Sequence, residues 1–81
     1  MNTRIGVVAI IIEEKESVEI VNKLLSNYGN IIVGRMGVPY KEKNLSVISV
    51  IVDGTTDEIG ALTGKLGRLS GVSVKSALTQ K

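Results

Sequence analysis

The chain repeats itself. Shifted by 41 positions, Val18, Val21, Leu25, Tyr28, Ile31 and Val33 fall on Ile59, Leu62, Leu66, Leu69, Val72 and Val74. Self-similarity of this period means that one supersecondary unit has been written twice. Each copy reads as strand, helix, strand, the first ahead of residue 39 and the second after residue 44. Two such units in 81 residues predict a single domain, residues 1–81, with the order βαββαβ.

The elements follow from periodicity. Residues 4–12, RIGVVAIII, are β-branched and uninterrupted, which suits a short strand buried on both faces. From about Glu14 to Tyr28, Val18, Val21, Leu24, Leu25 and Tyr28 recur at helical spacing, and Gly29 offers a stop. Residues 30–38 read as a second, less apolar strand, and Tyr40–Asn44 as a polar turn. Residues 45–52, LSVISVIV, form another doubly apolar strand ended by Asp53 and Gly54. Thr55 with Glu58 three residues on has the form of a capping box, and Ile59, Leu62, Leu66 and Leu69 mark one face of a second helix. Gly71 closes it, and Val72 to Leu78 alternates as a last strand.

Right-handed crossovers in such a chain put the first and third strands at the centre of an antiparallel sheet, in the order 4-1-3-2. Those are the two strands apolar on both faces. The expected fold is therefore α+β and ferredoxin-like, with both helices on one side and an aliphatic surface left on the other. An open surface of that kind marks an interaction site, here for a second copy of the chain.

Composition narrows the chemistry. Hydrophobic residues make up 43% of a chain too short for a large core, which again favours a homo-oligomer. A net charge of +2 gives little field for capturing a phosphate backbone. With neither histidine nor cysteine, the usual ligands of zinc, nickel, copper and iron-sulfur clusters are missing, as is any disulfide. No metal and no other cofactor is expected, and the default compartment is the cytoplasm. The apolar run at residues 5–12 is too short to span a bilayer, so no membrane association is expected.

Nor do the known chemistries of this topology fit. RNA-recognition domains stack bases on aromatic residues of the first and third strands, which here have none, so direct nucleic-acid binding is not expected. Phosphate chemistry in the loop after the first strand would meet Glu13, Glu14 and Glu16. Asp53, Asp57 and Glu58 lack the spacing of a calcium loop and suit helix capping.

Two segments remain. Gly60, Gly64 and Gly67 lie at i, i+4 and i+7 of the second helix, where each costs about 1 kcal/mol relative to alanine. They form a stripe roughly 120–180° from the core face. With Lys65 beside it, the stripe reads either as a contact for another chain or ligand, or as a weak helix tolerated by packing. Gly34, Arg35, Met36 and Gly37, leading to Tyr40, offer a forked guanidinium between exposed amides. The plainer reading is a bulged edge strand whose arginine pairs across the sheet.

These same stretches, Gly34-Arg35-Met36-Gly37 with Pro39-Tyr40, and Gly64-Lys65-Leu66-Gly67 with Gly71-Val72 and Val74-Lys75, resemble a small family of regulators of the iron-only hydrogenase system. The likeness runs over nearly the whole chain. It implies a fold similar to ACT domains and to the ligand-binding domain of nickel-responsive repressors, modules that associate through their sheets. The chain lacks the histidines and cysteine of the nickel repressors, so nickel sensing does not carry over.

The resemblance implies a noncatalytic sensory module, a homodimer or tetramer. It would hold a small effector between subunits and signal to a protein of the hydrogenase system. Gly34, Arg35, Met36, Gly37, Tyr40, Gly60, Gly64, Lys65 and Gly67 are its candidate ligand or oligomer contacts. The alternative is a small dimeric α+β enzyme with a pocket between subunits, for which Glu13, Glu14, Asp53 and Tyr40 are the available acids and bases.

Overall fold

A computed structural model of the chain describes residues 3–79, so the two residues at either end of the expected 1–81 domain lie outside it. The elements are β1 (Arg4–Ile12), α1 (Glu16–Asn27), β2 (Ile32–Tyr40), β3 (Leu45–Gly54), α2 (Thr56–Gly67) and β4 (Val72–Leu78). Short 3-10 turns at Gly29–Ile31 and Lys41–Lys43 precede β2 and β3. The four strands form one antiparallel sheet in the order β2-β3-β1-β4, the expected 4-1-3-2 read from its other edge.

Strand parity sorts the sheet into two faces. Val8, Ile10 and Ile12 of β1 pair with Val50, Ile48 and Ser46 of β3, and their side lies under the helices. Against it pack Val21 and Leu25 of α1, Ile59, Leu62 and Leu66 of α2, and Ile31. Each of these buried aliphatic side chains contributes about 1.5–3 kcal/mol of transfer free energy. The helices carry their core residues at matching repeat positions: Val21 with Leu62, Leu25 with Leu66.

The repeat slips in the strands. Val8, Ile10 and Ile12 are buried, whereas Ser49, Ile51 and Asp53, 41 positions on, all lie on the opposite face. A strand has period two, so an odd shift exchanges its faces. The slip is absorbed between strand and helix, where the first half has three residues (13–15) and the second only Thr55.

Two local expectations change. Gly29 does not end α1 in a left-handed turn; Tyr28 caps the helix with its amide on the Leu24 and Leu25 carbonyls, and the chain runs on into the 3-10 turn. Positive φ occurs instead at Asn44 (57°) and Gly71 (69°) among the described residues. Val33 does not match Val74 in burial: a bulge between Ile32 and Gly34 turns it outward to 69% exposure, while Val74 packs on the core. Gly71 needs its glycine, because a Cβ there would come within 2.6 Å of the Glu14 side chain as well as straining the backbone.

Candidate functional site

β2 is an edge strand, and its alternation divides the Gly34–Tyr40 segment. Arg35 and Gly37 pair with Val50 and Ile48, so they lie on the helix-covered side. Gly34, Met36 and Tyr40 pair with Ile51, Ser49 and Leu45 and so lie on the open side. Arg35 does not pair across the sheet. Its Nη2 donates a 2.7 Å hydrogen bond to Asn22 Oδ1, tying the edge strand to α1.

The glycine stripe sits elsewhere. Gly60, Gly64 and Gly67 are exposed, and a Cβ on any of them would meet nothing within 4 Å. The stripe therefore takes no part in the chain's own core, as its angle from the core face implied. Lys65 Nζ lies 5.2 Å from the centre of the Tyr28 ring, a cation–π contact between the helices. The two candidate segments thus do not converge on one site.

The open sheet face is the larger feature. Register places Ile5, Val7 and Ile11 of β1, Val47 and Ile51 of β3, and Met36, Val38 and Tyr40 of β2 on it together. Their exposures run from 38% to 70%. Eight large apolar side chains exposed together on one face make the kind of contiguous apolar surface that marks an interaction site.

The acids and bases that an enzyme would need are dispersed. Glu13, Glu14, Asp53 and Tyr40 are all exposed, and Arg35 is engaged by Asn22 rather than by a carboxylate. No group of three or more Asp or Glu residues able to hold a metal ion occurs among the described residues. Glu58 is a capping residue: its Oε1 accepts from Thr55 N at 2.8 Å while Thr55 Oγ1 accepts from Glu58 N at 3.1 Å.

Glu14 has a structural task as well. Ser70 Oγ lies 3.0 and 2.9 Å from its two carboxylate oxygens, and Ser17 Oγ, in a buried residue, donates 2.7 Å to the Ser70 carbonyl. Glu13 N donates to the Gly71 carbonyl at 2.7 Å. The start of α1 is thereby fastened to the turn that leads into β4.

Beside this latch, a cleft of about 400 Å³ opens between the start of α1 and the β2–β3 hairpin. Ile12, Val18, Pro39 and Leu45 line it with Glu13, Lys15, Lys41, Asn44 and Ser46. Apart from Glu13, none of these residues stands out in the sequence as a site residue. The signal was the unequal length of the two strand-to-helix connections, hidden because the repeat aligns the helices and not the strands.

Comparison with solved structures agrees with this fold. A protein of Thermotoga maritima described as "uncharacterized protein TM1266" superposes with a TM-score of 0.93 at 35% identity, covering 98% of this chain and all of that one. A "putative glycine cleavage system transcriptional repressor" matches at 0.73 and 14% identity over all of this chain and 48% of its own. A nitrogen regulatory PII-like protein from Thiomonas intermedia K12, bound to ADP, AMP and bicarbonate, matches at 0.54 and 19%, covering 98% of this chain and 99% of that one. These last two share the ferredoxin-like, ACT- and PII-like fold. No curated protein matches the chain. The family model described as "TM1266-like: Iron-only hydrogenase system regulator, putative" matches residues 4–76, and the chain belongs to that family.

Proposed function

We propose that the chain is a noncatalytic regulatory module of the iron-only hydrogenase system that acts in the cytoplasm as a homo-oligomer. Two copies pair through the open sheet face, and a small effector biases one assembly over another. A ligand shifts such an equilibrium only by its difference in affinity for the two states. The partner that reads the outcome is then a protein of the hydrogenase system. The observation that carries this reading is the open face itself, with eight large apolar side chains exposed on one side of the sheet.

Val7 and Ile51 pair directly across the two central strands of that face. Native mass spectrometry and light scattering on the wild-type chain are expected to show a dimer or tetramer at micromolar concentration. The double variant V7K/I51K is expected to be a monomer with an unchanged circular dichroism spectrum, because two lysines on each copy would face each other without water. A monomeric wild type, or a variant that still assembles, would remove sheet pairing from the proposal.

A further inference from the structure

The cleft at the start of α1 has the composition of a small-molecule site rather than of a packing defect. Its floor is aliphatic: Ile12 is buried at the end of β1, Val18 packs on the core from the first turn of α1, and Pro39 of β2, paired with Ser46, stands on the helix-covered side. Its volume, about 400 Å³, lies within the range of ligand pockets, roughly 300–1,000 Å³. Lys15, Lys41 and Glu13 also line it, two ammonium groups against one carboxylate. Glu16 and Glu19 in the first turn of α1 offset the positive end of its dipole, so Lys15 and Lys41 are the cationic groups of the cleft.

The fold does not require this hollow. At the matching junction of the second half, a Cβ on Gly54 would lie only 3.1 Å from Ile31 and from the Glu58 carboxylate, and Thr55 caps α2. That junction is filled, whereas the first is open, aliphatic below and lined at its edge by two lysines and one glutamate.

The geometry points to the cleft as a binding site for a small organic monocarboxylate with a branched aliphatic body. The ligand's carboxylate is held by Lys15 and Lys41, and its body lies on Ile12, Val18 and Pro39. Glu13 tunes the choice, because its charge opposes a second carboxylate on the ligand. This assignment rests on the effector part of the proposed function and places that effector within one protomer rather than between subunits.

The probe is 4-methylpentanoate, titrated into the full chain and followed by two-dimensional ¹⁵N–¹H NMR. A ligand this small binds with a Kd of about 1 mM, so the titration runs to about 20 mM. Saturable shifts are expected at residues lining the cleft. Lys15→Glu and Lys41→Glu should each weaken binding about fivefold or more, and Glu13→Gln should tighten it about twofold. All three side chains are exposed, and unchanged signals away from the cleft will show that the variants fold. The assignment is overturned if no saturable shift appears there, if the lysine variants bind as well as the wild type, or if leucine or 3-methylbutylamine binds more tightly than the acid. Native masses of the same samples separate the two ideas. An oligomer without cleft binding breaks only this assignment, and a monomer that binds breaks only the sheet pairing.

Discussion

After β3 the chain enters α2 through one residue, Thr55, whose side chain and that of Glu58 exchange hydrogen bonds with each other's amides. After β1 it takes three residues, and the positions that match Thr55 and Glu58 are Glu14 and Ser17. These do not cap α1 reciprocally. They reach across to Ser70 and fasten the first helix to the end of the second half. The same pair of sites thus closes a helix in one copy and ties the copies together in the other. The extra length of the first junction leaves Ile12 and Lys15 at the edge of an open cleft.

If the halves are equivalent in their cores and differ only at the junctions, substitutions should divide the same way. The largest effect is expected from Leu25→Ala and Leu66→Ala, repeat partners that are 1% and 0% exposed. Each should cost about 2–5 kcal/mol in denaturant unfolding, and the two losses should agree within about 1 kcal/mol. A wide gap between them would break the equivalence.

Junction substitutions come next. Ser17→Ala removes the donor to the Ser70 carbonyl at a buried position and should cost about 1–3 kcal/mol. Thr55→Ala removes a cap and should cost about 1 kcal/mol. Hydrogen exchange would sharpen the contrast: Thr55→Ala should speed exchange in the first turn of α2 alone, while Ser17→Ala should also loosen the turn at Ser70 and Gly71. If both act only on their own helix, the latch between halves has no energetic meaning.

The smallest expected effect has the opposite sign. Gly64→Ala places a methyl group in open space on α2, so the helix should gain about 1 kcal/mol. For a chain of this size that raises Tm by about 4–8 °C. A lower Tm, or a changed oligomer, would show that the stripe is a contact surface in the assembly.

Much of this was legible from residue types. The capping box was visible because its two partners are neighbours on one turn, and β4 because Val72, Val74, Ser76 and Leu78 alternate cleanly. Val33 turns outward at a bulge, which depends on the partner strand and is not contained in a single strand's pattern. Arg35 bonds Asn22 rather than a carboxylate or a cross-sheet partner, and sequence spacing says nothing of which helix residue stands above an edge strand.

By itself the sequence determined which positions are buried in each helix and which strands are central. Those choices are set by local period and by the need to remove aliphatic side chains from water, both of which are written in residue order. Tertiary structure alone decided the rest. It put Glu14 against Ser70, set Lys15 and Lys41 around one hollow, and gathered Met36, Val38 and Tyr40 with Val7 and Ile51 on one face. Each of these depends on how distant segments are registered against one another. That registration is fixed by the packing of the whole core, and no local stretch of the chain carries it.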